Sequence, residues 1–229
     1  AQSQHNLKDF YKTGTTLSNT VAFSGGNENT TFRVSLGDLR NQSVYPNADY
    51  KRTNANVDLS FKLSSKWSGQ ANMTYVKERA NRTNVSDAPG NGNFAIMFLP
   101  PNVRANMLAP GWDPVTGKET EYNDNQYNTN PYFAAAKFTN KTTKDRMMGM
   151  ASLRYQALDW LYVQGRITND YFAFNAQSIW PSGTAFKPTG KLNQDLTRNM
   201  NELNTDIMVG INKKIKNDFN LGFIAGGNF

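Results

Sequence analysis

The sequence predicts an all-β fold: an antiparallel transmembrane β-barrel segment of about eight strands, with short periplasmic turns and long extracellular loops. Three observations carry that prediction. From Thr53 to Leu63, Ala55, Val57, Leu59, Phe61 and Leu63 alternate with Asn54, Asn56, Asp58, Ser60 and Lys62. Period two marks a strand with one face in an apolar medium and one in a polar medium. The links between such runs go short, long, short, very long, short, long, short. A soluble sandwich has no reason to gather its long loops at one end, whereas an outer-membrane barrel does so by construction. Finally, Trp67, Trp160 and Phe219 each follow a short turn, where a barrel places an interfacial aromatic girdle.

The elements follow in order. Thr15 to Ser24 is the first strand, with Leu17, Val21 and Phe23 on one face, and Gly25-Gly26-Asn27-Glu28-Asn29 turns it. Thr31 to Leu39 returns, with Phe32, Val34 and Leu36 against Arg33 and Ser35. A polar connection from Arg40 to Arg52 leads to the Thr53–Leu63 strand, which Ser64-Ser65-Lys66 turns into Trp67 to Lys77. The very long connection covers about 78–146, and its Asn93–Leu99 and Ala134–Phe138 pieces suit short helical or strand segments. Met147 to Tyr155, a turn at Gln156-Ala157-Leu158-Asp159, and Trp160 to Phe172 form the next hairpin. A second long loop spans about 173–198. Leu203 to Asn212, a turn at Lys214–Asp218 and Phe219 to Phe229 end the chain.

Composition fits a barrel better than a packed domain. Only 38% of the 229 residues are apolar, the mean hydropathy is −0.65, and no stretch approaches the roughly 20 apolar residues of a membrane helix. Barrel strands need only about 9–11 residues and are apolar on one side, so averages miss them. Aromatics at 12% argue against disorder. The net charge of +7 suits an anionic partner such as lipopolysaccharide, nucleic acid or an acidic substrate. Lys and Arg are nevertheless scattered, as on a solvated surface. The start, Ala1-Gln2-Ser3-Gln4-His5, lacks a signal-peptide pattern, so a leader was removed or the chain is a piece of a longer one.

The raw material of catalysis is scarce. There is no cysteine, and the sole histidine, His5, lies near a terminus, which leaves no Ser-His-Asp triad or histidine metal cluster. No phosphate loop or Rossmann glycine pattern occurs. Glu119, Glu121 and Asp124 form the densest acidic group; a calcium site is one reading, and a solvated acidic loop the preferred one. The expectation is a protein that is not an enzyme, with no cofactor and no metal.

Certain residues carry a resemblance. Asp9-Phe10-Tyr11-Lys12-Thr13-Gly14, then Ser24-Gly25-Gly26-Asn27-Glu28-Asn29-Thr30-Thr31-Phe32-Arg33-Val34-Ser35-Leu36, resembles the first barrel strands of SusC/RagA-type TonB-dependent outer-membrane transporters. Pro46-Asn47, Tyr50-Lys51-Arg52, Asn130-Pro131-Tyr132, Asp159-Trp160-Leu161, Gly165-Arg166 and Asp170-Tyr171 are similar to later blocks of that family, in order along nearly the whole chain. The resemblance implies a barrel of about 22 strands with an N-terminal plug. It also implies a SusD-like surface lipoprotein, energy from a TonB complex, and uptake of oligosaccharides or peptides, typically in Bacteroidetes. On this reading residues 1–229 are part of a single barrel domain in the bacterial outer membrane. Plug, TonB-contact region and remaining strands are absent, and partners include membrane lipid but not nucleic acid.

Ligand contact is expected from loop aromatics, because sugars and peptides favour ring faces beside amides. The substrate-binding candidates are Tyr45, Trp112, Tyr122, Tyr127, Tyr132 and Trp180, with Asn123, Asn125 and Asn128 as polar partners. Arg33, Asn56, Asp58, Gln70, Arg166 and Asp206 are expected on the inward face. Two rival folds remain at this stage: a complete eight-stranded outer-membrane barrel acting as anchor or adhesin, and a soluble glycan-binding β-sandwich.

Overall fold

The computed structural model describes residues 7–82, 89–216 and 219–229. His5 and the Asn217-Asp218 part of the last turn lie outside the described residues. Eight strands form one antiparallel sheet in chain order, β1 (Thr15–Gly26), β2 (Thr30–Gln42), β3 (Asp49–Lys62), β4 (Trp67–Asn81), β5 (Thr139–Leu158), β6 (Leu161–Trp180), β7 (Lys191–Lys216) and β8 (Phe219–Asn228). The predicted all-β class holds. The sheet is open, with β1 and β8 as its edges.

Local chemistry sets the short turns. The Asn27 side-chain oxygen accepts hydrogen bonds from the Asn29 and Thr30 amides at 2.9 and 2.8 Å, and the Ser64 hydroxyl accepts from Lys66 and Trp67 at 3.2 Å. Such side chains stand in for backbone acceptors and tighten the hairpin.

Register then fixes the faces. Val34, Val57, Met73, Gly149 and Asn169 lie abreast across five strands, and Leu36, Ala55, Tyr75, Met147 and Tyr171 form the neighbouring row. This is the apolar face, and no element among the described residues covers it. Val21, Phe23, Leu36, Met73, Ile167, Leu203, Ile207 and Phe223 are each 46–73% exposed. From Trp67 to Tyr75 the band on β4 measures roughly 20–27 Å, depending on strand tilt. The opposite face carries Arg33, Asn56, Asp58, Gln70, Arg166 and Asp206 together, as the alternation predicts.

The strands outrun their predicted ends. β5 and β6 hold 20 residues each and β7 holds 26. The connections shrink accordingly to 43–48, 82–138 and 181–190, instead of Arg40–Arg52, about 78–146 and about 173–198. The physical reason is that Asn175, Gln177, Asp195 and Thr197 turn the apolar face polar while Phe174, Ala176 and Leu196 stand on the other, so the strands continue where the expected pattern stops. Trp160 sits in the turn rather than in the strand, which starts at Leu161.

The long connections fold into a cap of their own. Its core gathers Phe10, Tyr45, Ile96, Leu99 and Ala105. Phe10 is central, 2% exposed, with Tyr11, Tyr45 and Tyr132 set edge-on at 5.2–5.3 Å. Two short helices brace it, α1 (Gly92–Met97) and α2 (Pro131–Lys137), with a 3₁₀ turn at Ala105–Leu108. Both predicted segments are therefore helical. Asn91 caps α1 by accepting from the Asn93 and Phe94 amides, and Asn130 caps α2, with Pro131 in the first turn.

Candidate functional site

Three places on the fold carry recognisable chemistry, and the cap holds the first. A cleft of about 340 Å³ opens between the segment before β1, the 43–48 loop and α2. Trp112 and Tyr132 line it with Tyr11, Asp9, Lys12 and Asn47. The Lys137 ammonium sits 4.7 Å from the Trp112 ring centroid, so one ring face is taken by a cation. Tyr11 donates to the Asn93 side-chain oxygen at 2.9 Å, and Tyr132 to the Asp9 carbonyl at 3.4 Å. Burial raises both phenol pKa values, with the nearby Asp9 charge adding to that of Tyr132. At neutral pH both are uncharged, and with their single O–H already committed each offers a ligand an acceptor lone pair.

The other aromatic candidates are distributed differently. Tyr45 is 6% exposed and contributes its ring to the Phe10 core. Tyr122 packs beside the same core, and burial pushes its pKa up to about 12. Tyr127 and Trp180 belong to a second cluster around Phe186, at ring distances of 6.4 and 5.0 Å, with Phe138 stacked at 6.2 Å. The structure therefore joins Trp112 to Tyr132 in one cleft and places Tyr127 and Trp180 elsewhere in the cap. The expected asparagine partners serve their own turn: the Asn123 side chain accepts from the Asn125 amide and the Asn125 side chain from the Tyr127 amide.

Glu119 has a role the sequence did not signal. Its carboxylate accepts from the Asn130 amide at 2.6 Å, from the Thr184 hydroxyl at 2.9 Å and from the Ala185 amide at 3.0 Å. It clasps the 82–138 connection to the 181–190 loop. Burial raises its pKa, and the hydrogen bonds oppose that rise only in part. Glu119 is thus a half-buried tie, whereas Glu121 and Asp124 are exposed. Among the described residues no group of three or more acidic or histidine side chains could hold a metal ion. Asn130 completes the tie, donating to the Leu108 and Thr120 carbonyls at 3.1 and 3.0 Å while 1% exposed. In Asn130-Pro131-Tyr132 one residue bridges, the next starts the helix and the third packs on Phe10.

The polar face of the sheet is the second place. Arg33 lies directly opposite Asp58, Arg146 forms a bidentate pair with Asp170, and Arg166 meets Asp206 at 2.6 Å. Tyr50 donates to Glu78 at 2.6 Å, and Asn56 to the Ser35 hydroxyl at 3.2 Å. A groove lined by Arg52, Asn54, Asn56, Glu78, Lys144 and Arg146 runs across these strands. Such a wall can hydrogen-bond a polar solute or another polypeptide along its length.

The margins of the apolar face are the third. Trp67 sits 4.7 Å from Tyr155, the Lys213 ammonium lies 5.0 Å from the Trp160 ring, and Phe219 is 70% exposed. The long-loop margin has its own aromatic row, Tyr75 and Tyr171, with the Tyr75 hydroxyl donating to Asp145 at 2.6 Å. These two rings stand within strands rather than after turns, so they fall outside the expected girdle of Trp67, Trp160 and Phe219. Their odd-numbered spacing on one face was the available signal.

No protein-family model matches the chain, and neither does any curated protein. Solved structures do. The RagAB peptide transporter superimposes with a TM-score of 0.69 at 18% identity over 97% of this chain and 25% of that one. The RagAB peptide importer in its closed-closed state gives 0.68 at 17% identity, over 96% and 25%. The ferric-catecholate import receptor Fiu of E. coli K12 gives 0.54 at 11%, over 93% and 35%. The chain spans about a quarter of the RagAB chains it matches and about a third of Fiu, and it shares their fold over that part.

Proposed function

We propose that this chain is a wall segment of a SusC-like, TonB-dependent outer-membrane importer. The assembly takes up oligosaccharides or peptides with a SusD-like lipoprotein at its extracellular face. The observation that carries the reading is the apolar sheet face, broad, exposed and bounded by aromatics on both margins. A soluble sandwich would cover such a face with a second layer, and a complete eight-stranded barrel would pair β1 with β8, whereas here they are opposite edges. An open sheet edge has no place in hydrocarbon, so further strands close the wall. Lipid meets the apolar face, while plug and cargo meet the polar one. Cap and lipoprotein enclose the cargo, with Trp112 and Tyr132 as the ring contacts.

The test is extraction of the source protein from membranes. The expected result is a detergent-dependent species several times the 25.7 kDa of this chain, copurifying with a lipoprotein. A protein that stays monomeric and soluble without detergent overturns the reading. Cargo contact is tested separately: Trp112→Ala in the intact protein is expected to weaken oligosaccharide or peptide binding at least about tenfold, as stacking and edge contacts of a ring are lost.

A further inference from the structure

We infer that the apolar face carries, at its long-loop margin, a binding site for the phosphate groups of an acylated lipid of the outer leaflet. The inference rests on the membrane reading above. It starts from three successive rows of residues on that face.

The last apolar row is Leu36, Ala55, Tyr75 and Met147. Above it stand Asp38, Thr53, Lys77 and Asp145, two carboxylates and one ammonium, with Lys77 meeting Asp145 at 3.7 Å. The next row is Arg40, Lys51 and Arg79, three cations directly abreast, followed by Thr143. Side chains so placed are about 5 Å apart at Cβ, and like charges there repel. Arg40 reaches down to Asp38 at 2.8 Å, but Lys51 and Arg79 are exposed and form no ion pair among the described residues.

A second observation points the same way. A cavity of about 500 Å³ opens at this margin, lined by Lys12, Arg40 and Lys51, with Asp49 as the acid in its wall. Leu17, 58% exposed, is the direct cross-strand neighbour of Arg40. Cations and bare apolar surface therefore meet at one place. That pairing suits a ligand carrying phosphate and acyl chain together; a free sugar or peptide would have no use for the apolar half. Imported cargo is excluded by geometry, because this face is the reverse of the polar one.

The experiment is native mass spectrometry of the full-length protein extracted from membranes. The probes are diphosphoryl lipid A, the same lipid without its phosphates, and inorganic phosphate. The expected result is retention of the phosphorylated lipid, at least about tenfold above the dephosphorylated one, as cations near an anionic surface favour it. Lys51→Gln with Arg79→Gln should abolish most of that preference, while Lys66→Gln at the other margin leaves it intact. Equal retention of both lipids, or an unchanged double variant, overturns the inference. Displacement of the lipid by inorganic phosphate would assign the cations to the free anion and overturn the lipid source. A protein soluble without detergent would overturn the membrane reading itself, whereas a detergent-dependent protein without phosphate preference overturns this inference alone.

Discussion

The sheet and the cap above it use aromatic and apolar residues in opposite ways. On the sheet, Phe23, Trp67 and Phe219 are 70, 40 and 70% exposed, with no partner layer. In the cap, Phe10, Tyr45 and Phe133 are 2, 6 and 0% exposed and lie against other rings. The cap carries its own hydrophobic core, while the sheet depends on a solvent that is itself apolar. Stability of the two regions should therefore respond to different insults.

The largest effect is expected from Phe10→Ala. Removing the ring on which three tyrosines converge should cost the cap about 3–5 kcal/mol. Hydrogen exchange would register this as faster opening at α1, α2 and the 43–48 loop, with β3–β6 unchanged. Equal loosening of the sheet would mean that cap and wall are one cooperative unit, and the contrast between them would fail.

Val57→Arg comes next. On the apolar face near the middle of the band, an arginine should cost about 2–4 kcal/mol of refolding stability in lipid. Asn56→Arg, one residue away on the polar face, should cost little. If the two variants refold alike from urea into bilayers, the apolar face does not meet hydrocarbon.

This contrast also explains what the sequence disclosed. β3 was legible because each face keeps one character from Thr53 to Lys62. The upper parts of β5, β6 and β7 were not, because there Asn175, Gln177, Asp195 and Thr197 make the formerly apolar face polar while Phe174, Ala176 and Leu196 stand on the other, so the alternation changes sides. In the cap, Asn130-Pro131 carries a helix-start signal by local chemistry, and α2 begins there, ahead of the expected Ala134–Phe138 segment. Glu119 announces nothing: its burial depends on Thr184 and Ala185, far along the chain, which only the folded loops bring to it. Candidate rings could be named, but their partition between the cleft and two ring clusters is a tertiary fact.

Glu119→Ala should have a smaller effect than either substitution above, about 1–3 kcal/mol, by leaving the Asn130 and Ala185 amides without acceptors in a half-buried site. Acid offers a second handle on the same clasp. The folded pKa of Glu119 is raised above the ordinary 4.5, so the folded state holds its proton more tightly than the unfolded state does. Its contribution is fully present below pH 4.5 and is lost as pH rises through the raised value. Protease cleavage of the 181–190 loop should thus be no faster just below pH 4.5 than at neutrality, once corrected for the protease's own profile. Acid-accelerated cleavage that disappears in Glu119→Ala would reverse the sign and mark the carboxylate as a net stabilising charge.

The smallest expected effect lies where the two regions meet. Tyr75 ends the apolar band, its ring level with Met147 and Tyr171 and its hydroxyl donating to Asp145. Tyr75→Phe keeps the ring in place and removes one exposed hydrogen bond, which is worth about 0.5 kcal/mol or less. Tyr75→Ala removes the amphipathic body as well and should cost more, but only in a bilayer, because in water the ring is already exposed. The diagnostic is the difference between bilayers: a Phe-to-Ala gap that differs between thin and thick bilayers assigns Tyr75 to the interface. A gap of equal size in both would assign the ring to contacts within the sheet, and the long-loop margin of the band would then lie elsewhere.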